Sequence, residues 1–206
     1  MIHGYHVIWG TYGFWLPNDP RGSWSDFVAS WELAKFGKAT QSNLRLEVDP
    51  LEWAEWRQKA EGALKYPVVH FDGRQASAVG TGFARCVQKS NLTVWACSVL
   101  PEHVHLILAR HTYRVEQICN LLKGEATKAL TAASVHPRGV TVQDKRKVGS
   151  VWAEGQWKRY LESEEDIETA IRYVEENPVK EDKPKQSWSF VTPFSGLAQS
   201  GWVIYH

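Results

Sequence analysis

The sequence predicts an α+β fold with an antiparallel sheet, and three observations lead there. Short runs rich in aromatic and β-branched residues alternate with segments of helical periodicity. Two of those runs, residues 92–99 and 103–109, are separated only by a Pro101-Glu102 turn, so they form an antiparallel hairpin. The chain has 206 residues and is 43% hydrophobic, enough for one domain with a sizeable core but tight for two. Residues 1–206 are therefore read as a single domain.

The elements follow in order. Tyr5–Tyr12 (YHVIWGTY) reads as a strand that ends at Gly13. Residues 13–74 form an insertion, opened by a stretch rich in Pro, Asn, Asp and Gly. The insertion is partly helical. Asp49 caps a helix, Pro50 takes its first position and Glu52 its first turn, and the helix runs to about Lys65. A second helix spans 75–90 over Ala76, Val79, Phe83 and Val87; Gly80 and Gly82 weaken it by about 1 kcal/mol each. Leu92–Val99 and His103–Ala109 are the hairpin strands. Arg114–Ser134 is helical, with Val115, Ile118, Leu121, Leu122 and Leu130 near one face. A loop with Pro, Gly and basic residues covers 135–150. Val151–Leu161 is a short strand broken at Gly155. Ser163–Asn177 is the clearest helix, capped by Ser163 with Asp166 at the capping-box position; Pro178 ends it. Without the insertion, this order is the ferredoxin-like β-α-β-β-α-β plan plus a terminal helix.

Composition excludes several classes. Lys+Arg is 24 against Asp+Glu 23, so any electrostatic footprint is local. Cys86, Cys97 and Cys119 are odd in number and widely spaced, which excludes a disulfide framework or Cys-rich zinc module and fits a reducing cytoplasm. No apolar run approaches the ~18 residues of a membrane span, and the N-terminus does not read as a signal peptide. No phosphate-loop motif occurs, which argues against nucleotide hydrolysis. Charge is unevenly spread. Residues 110–160 carry 10 Lys/Arg against 4 Asp/Glu, while 161–182 carry 9 acids against 2 bases. Lys145, Arg146 and Lys147, with Lys158 and Arg159, form a candidate phosphate-contact region. Lys123 and Lys128 face either phosphate or solvent.

The sharpest chemical feature is His103-Val104-His105. Side chains alternate along a strand, so both imidazoles share one face, about 7 Å apart. That spacing suits one shared metal ion; it also fits two hydrogen-bonded strand histidines. Tyr173 and Asn177 lie four residues apart, on one face of the last helix. Tyr173 lies off the Ile167/Ile171/Val174 stripe, so packing does not obviously explain it; taken alone, it also fits a partly buried helical tyrosine, and Asn177 an ordinary C-terminal helix residue before Pro178. Asn177 can offer a carbonyl oxygen to a metal. A tyrosine hydroxyl, with pKa near ~10, attacks well only when a metal or base assists. His6 reads as core, or as a residue behind the site. The eleven tryptophans are core, loop anchors or stacking surfaces.

Taken together, Pro101-Glu102-His103-Val104-His105-Leu106-Ile107, Ser163-Glu164-Glu165-Asp166 and Ile171-Arg172-Tyr173-Val174-Glu175-Glu176-Asn177-Pro178-Val179-Lys180 resemble the single-tyrosine HUH transposases. More narrowly, they resemble the repeat-associated tyrosine transposases. Tyr5-His6-Val7-Ile8-Trp9 resembles that family's first strand. The resemblance covers about 5–12 and 75–180. It implies a ferredoxin-like sheet, binding of single-stranded DNA beside hairpin or repeat ends, and a divalent Mg²⁺ or Mn²⁺. His103, His105 and Asn177 would be the ligands and Tyr173 the nucleophile. The implied reaction is DNA cleavage and strand transfer through a 5′-phosphotyrosine, the chemistry of DNA transposition. A relaxase- or initiator-like nicking protein shares that chemistry. A domesticated DNA-hairpin-binding protein would keep the fold without turnover. Related transposases act as homodimers or monomers, and both states stay open.

Two departures stand out. Glu102 precedes the histidine pair where the family commonly has Asn. The insertion at 13–74 is not required by the family core. It carries Trp15, Trp24, Trp31, Trp53 and Trp56, close in sequence to Trp9 on the first strand. It either packs beside the site and grips DNA or is a self-packed decoration.

Overall fold

A computed structural model describes residues 1–14, 16, 49–143 and 149–197. Lys145, Arg146 and Lys147, and Trp15, Trp24 and Trp31, lie outside the described residues. Among the described residues the fold comprises strands β1 (Gly4–Gly10), β2 (Val94–Val99), β3 (His103–Ala109) and β4 (Trp157–Leu161). The helices are α1 (Pro50–Gly62), α2 (Gly73–Ser90), α3 (Val115–Ala132) and α4 (Glu164–Lys180). The strands form one antiparallel sheet in the order β2-β3-β1-β4. With β1-α2-β2-β3-α3-β4 connectivity this is the ferredoxin-like α+β plan, with α4 appended and α1 inserted after β1.

The sheet separates two layers. Val7 and Trp9 of β1, Val104, Leu106 and Leu108 of β3, and Val94, Cys97 and Val99 of β2 pack against α2 and α3. The opposite parity, with Ala96 and Ile107, meets Leu161 and the Ile167/Ala170/Val174 stripe of α4. The two glycines that weaken α2 on propensity serve packing. A Cβ on Gly82 would stand 2.5 Å from the Ala126 backbone of α3, and one on Gly80 would stand 2.1 Å from the Trp188 ring. Close helix–helix approach outweighs the intrinsic cost. The chain after α4 returns along β2. Gln186 bonds both the N–H and the C=O of Val99 at 2.8 Å, and Thr192 N–H donates to Val94 O at 2.8 Å, so that edge is covered. No helix among the described residues is long and apolar enough to cross a membrane.

Two element boundaries differ from the sequence expectation. The strand expected over 151–161 begins only at Trp157; its first half contributes a single bridge, Thr11 to Trp152. Gly155 adopts a left-handed φ of 72°, which breaks the extended run. The helix does not stop at Pro178. It continues to Lys180 with Pro178 in its last turn. Proline there forfeits one amide donor, while the terminal carbonyls are still met: Glu181 N–H reaches Asn177 O at 3.2 Å and Lys183 N–H reaches Pro178 O at 2.8 Å. The extra turn matters because it carries Glu181 to the site.

Candidate active site

The pleat of β3 sends His103, His105 and Ile107 to the α4 side, and β1 sends His6 and Ile8 there. Ile8 is opposite His105 and Gly10 is opposite His103 in the β1–β3 register. The His103 and His105 ring centroids are 4.9 Å apart, so the histidines are brought together as their spacing predicted. Helix α4 crosses this face. The Ile167/Ala170/Val174 stripe continues into Asn177, which is 7% exposed. Tyr173 sits beside that stripe, 45% exposed, with its ring 5.7 Å from His105 and 5.8 Å from His6. Helix and strand thus place Tyr173 against the histidines from opposite layers. Lys180 lies over the outer part of this arrangement, its Nζ 5.5 Å from the Tyr173 ring centre.

His105 is 3% exposed, and its pKa is held well below the ordinary imidazole value, first by burial and then by His103 and His6. His6 is pushed down to about 4 by burial and by Arg159. Both rings are therefore neutral at pH 7, the form in which an imidazole offers a lone pair. The Asn177 Nδ2 is buried without a hydrogen-bond partner among the described residues. An unmet amide one turn beyond Tyr173 on the same helix could offer its oxygen to a cation, since rotation of the amide exchanges O and N. Among the described residues no group of three His, Cys, Asp or Glu forms a metal cluster. A cation held by His103, His105 and Asn177 would need water or phosphate oxygens to complete its coordination. Imidazole ligation leans toward Mn²⁺ over Mg²⁺.

The structure brings further residues to this face beyond the histidine pair, Tyr173 and Asn177. His6 Nε2 is 3.1 Å from His105 Nδ1; of its two readings, core or a residue behind the histidine pair, the contact favours the second, although the ring is as buried as the first requires. Glu181 Oε1 stands 3.6 Å from His103 Nε2. Phe14, at the start of the insertion, stacks on His103 at 5.0 Å and 13°. The insertion also reaches Glu102: Arg57 of α1 lies 3.5 Å and His70 3.1 Å from its carboxylate. The signal for His6 was its parity. It shares the Ile8 face of β1, opposite the Val7/Trp9 face that fills the core.

The candidate phosphate contacts separate. Lys123 is 9% exposed and donates to Ala153 O at 3.2 Å and Gly155 O at 2.6 Å, with Trp9 beneath it. It pins the turn before β4, and burial pushes its pKa down to about 8; the expectation that it faces phosphate or solvent is corrected. Lys128 is exposed and pairs with Glu125 at 2.8 Å. Lys158 pairs with Glu116 of α3, whereas Arg159 pairs with Asp166 of α4 at 3.1 Å.

Solved structures similar to this chain include two described as transposases. A REP-associated tyrosine transposase bound to a REP hairpin shares 14% identity, with a TM-score of 0.46, over 92% of this chain and 76% of the other. A candidate transposase from Deinococcus radiodurans R1 shares 15% identity, with a TM-score of 0.37, over 85% of this chain and 90% of the other. No family model and no curated protein matches the sequence.

Proposed function

We propose that the protein is a metal-dependent DNA strand transferase of the single-tyrosine HUH type, acting on single-stranded DNA with hairpin or repeat ends. The observation that carries this reading is the meeting of α4 and β3, which sets the Tyr173 ring beside His105 with Asn177 one turn further along the same helix. The motif resemblance supplies the reaction class.

His103, His105 and Asn177 would hold Mg²⁺ or Mn²⁺, which when bound polarises the scissile phosphate and neutralises charge on it. Tyr173 is the nucleophile. Its oxygen forms a bond to phosphorus as the bond to the 3′ oxygen breaks, leaving a 5′-phosphotyrosine and a free 3′-OH. Attack by that hydroxyl or another reverses the step and joins ends, so no nucleotide energy source is required. Tyr173 is half-exposed, which suits a group that must meet a large substrate. The packed stripe of α4 fixes its backbone, so attack geometry comes from the helix and not from a loop.

The test is covalent capture. End-labelled hairpin oligonucleotides from DNA flanking the gene are mixed with the protein and Mn²⁺ or Mg²⁺, then resolved under denaturing conditions. An adduct that disappears with EDTA and in Tyr173→Phe supports the reading; joined ends then separate a transposase from a nicking protein. Hairpin binding without an adduct would point to a binder that has lost turnover. Neither binding nor adduct would overturn the proposal.

A further inference from the structure

Two histidines from different strands share one hydrogen bond on the site face. His6 Nε2 and His105 Nδ1 are 3.1 Å apart, across 99 residues of chain. Between neutral imidazoles one nitrogen donates and the other accepts. Two arrangements satisfy the distance. If His6 donates, the His105 proton sits on Nε2, and that ring has no lone pair left for a cation. If His105 donates from Nδ1, its Nε2 carries the lone pair. Only the second arrangement is compatible with His105 as a ligand, because Nδ1 is already engaged by His6.

We infer that His6 is a positioning residue: its Nε2 accepts the Nδ1–H of His105 and so keeps the His105 Nε2 lone pair available to a divalent cation. The inference rests on the metal site proposed above. Three further observations support it. His6 is 7% exposed on β1, a strand paired on both sides, so its own place is fixed. Its ring is held edge-on by Trp157 at 5.4 Å and 89° and lies against Tyr173. Ser98, directly opposite His105 across β2–β3, has a buried hydroxyl with no hydrogen-bond partner among the described residues. Among the described residues His6 is the hydrogen-bond partner of the His105 ring, although Ser98 is its cross-strand neighbour. A hydrogen bond to the far nitrogen of a ligating histidine sets its tautomer and ring orientation.

The first test uses the full, metal-free chain labelled with ¹⁵N-histidine. Long-range ¹H–¹⁵N correlation should show His105 protonated at Nδ1 with an unprotonated Nε2. The opposite tautomer, with His6 donating, would overturn the inference. The second test titrates Mn²⁺ by electron paramagnetic resonance. His6→Phe, which fills the space without an acceptor, should weaken Mn²⁺ binding roughly 10–100-fold. His6→Gln, whose Oε1 can accept, should recover most of the affinity. Unchanged affinity in His6→Phe, or equal loss in both variants, would overturn the positioning role. Circular dichroism checks folding; should His6→Phe not fold, the wild-type tautomer decides. A wild-type chain that takes up no Mn²⁺ would sink the metal reading of the site, while the tautomer remains separately readable.

Discussion

On the α2/α3 side of the sheet, β1 and β3 present Val7, Trp9, Val104, Leu106 and Leu108, each essentially sealed from solvent. On the α4 side the same two strands present His6, Ile8, His103, His105 and Ile107, and β2 adds Ser98. The first face is built from apolar side chains, and its one polar atom among them, the Trp9 indole N–H, is buried without a hydrogen-bond partner among the described residues. The second holds imidazoles, a hydroxyl and an amide at comparable burial, two of them with unmet hydrogen-bonding atoms. Burying such groups costs free energy unless something pairs with them. A fold that gathers its imidazoles, hydroxyl and amide on one face, within reach of a half-exposed tyrosine, sets those polar groups apart from the apolar core by strand parity.

Substitutions on the two faces should therefore have different signatures. The largest effect expected is on activity alone. Tyr173→Phe keeps the ring contacts to His6 and His105 and removes only the hydroxyl. It should abolish the covalent DNA adduct while the urea midpoint stays within about 0.5 kcal/mol of wild type. Residual adduct in this variant would move the nucleophile elsewhere.

The counterpart on the dry face is Phe83→Ala. Phe83 is fully buried, edge-on to Trp9 and Phe190. Its removal leaves a cavity under the sheet and should cost about 3–5 kcal/mol in denaturant unfolding. Adduct formation by the fraction that stays folded should be near normal. A cost below about 1 kcal/mol would mean this face is less tightly packed than its burial indicates.

Asn177→Leu sharpens the contrast. Asn177 continues an apolar stripe, and its amide nitrogen is buried without a partner. Replacement by leucine removes an unmet polar group and should raise stability by about 1 kcal/mol, while Mn²⁺ binding falls. A variant that loses both stability and metal binding would show that Asn177 serves the core as well as the site.

Much of this division is legible in the sequence. The alternation in HVHLILA puts both histidines on one side, and four-residue spacing puts Tyr173 and Asn177 on one helix face. Local rules suffice for both. What local rules could not supply was the partner across the sheet. His6 meets His105 only because β1 lies between β3 and β4, and pairing Ile8 with His105 rather than its neighbour decides which β1 side chain is adjacent. One residue of slip would send His6 to the other face. Pro178 misled for the opposite reason. Its local signal is strong, but in a final turn the lost amide costs little, and the continuing helix brings Glu181 beside His103. Gly80 and Gly82 likewise register as helix weakness until Trp188 and Ala126 are seen to need the space.

The smallest effect expected uses adjacent residues on β4. Lys158 and Arg159 are indistinguishable as a basic pair in the sequence, yet the pleat divides them. Lys158 is tied to Glu116 of α3, on the dry side, and Arg159 to Asp166 of α4, opposite His6 in the β1–β4 register. If DNA tracks the site face, only Arg159 lies on its path. Arg159→Ala should lower the magnitude of the salt dependence of single-stranded DNA binding by about 0.7, the share of one phosphate contact. Lys158→Ala should leave that slope unchanged, because its side chain lies on the α2/α3 side, off the path of DNA across the site face. Both slopes are read from binding isotherms at several salt concentrations. Equal changes in the two variants would mean that DNA wraps the β4 edge and touches both faces, so that strand parity divides the chemistry but not the grip on the substrate.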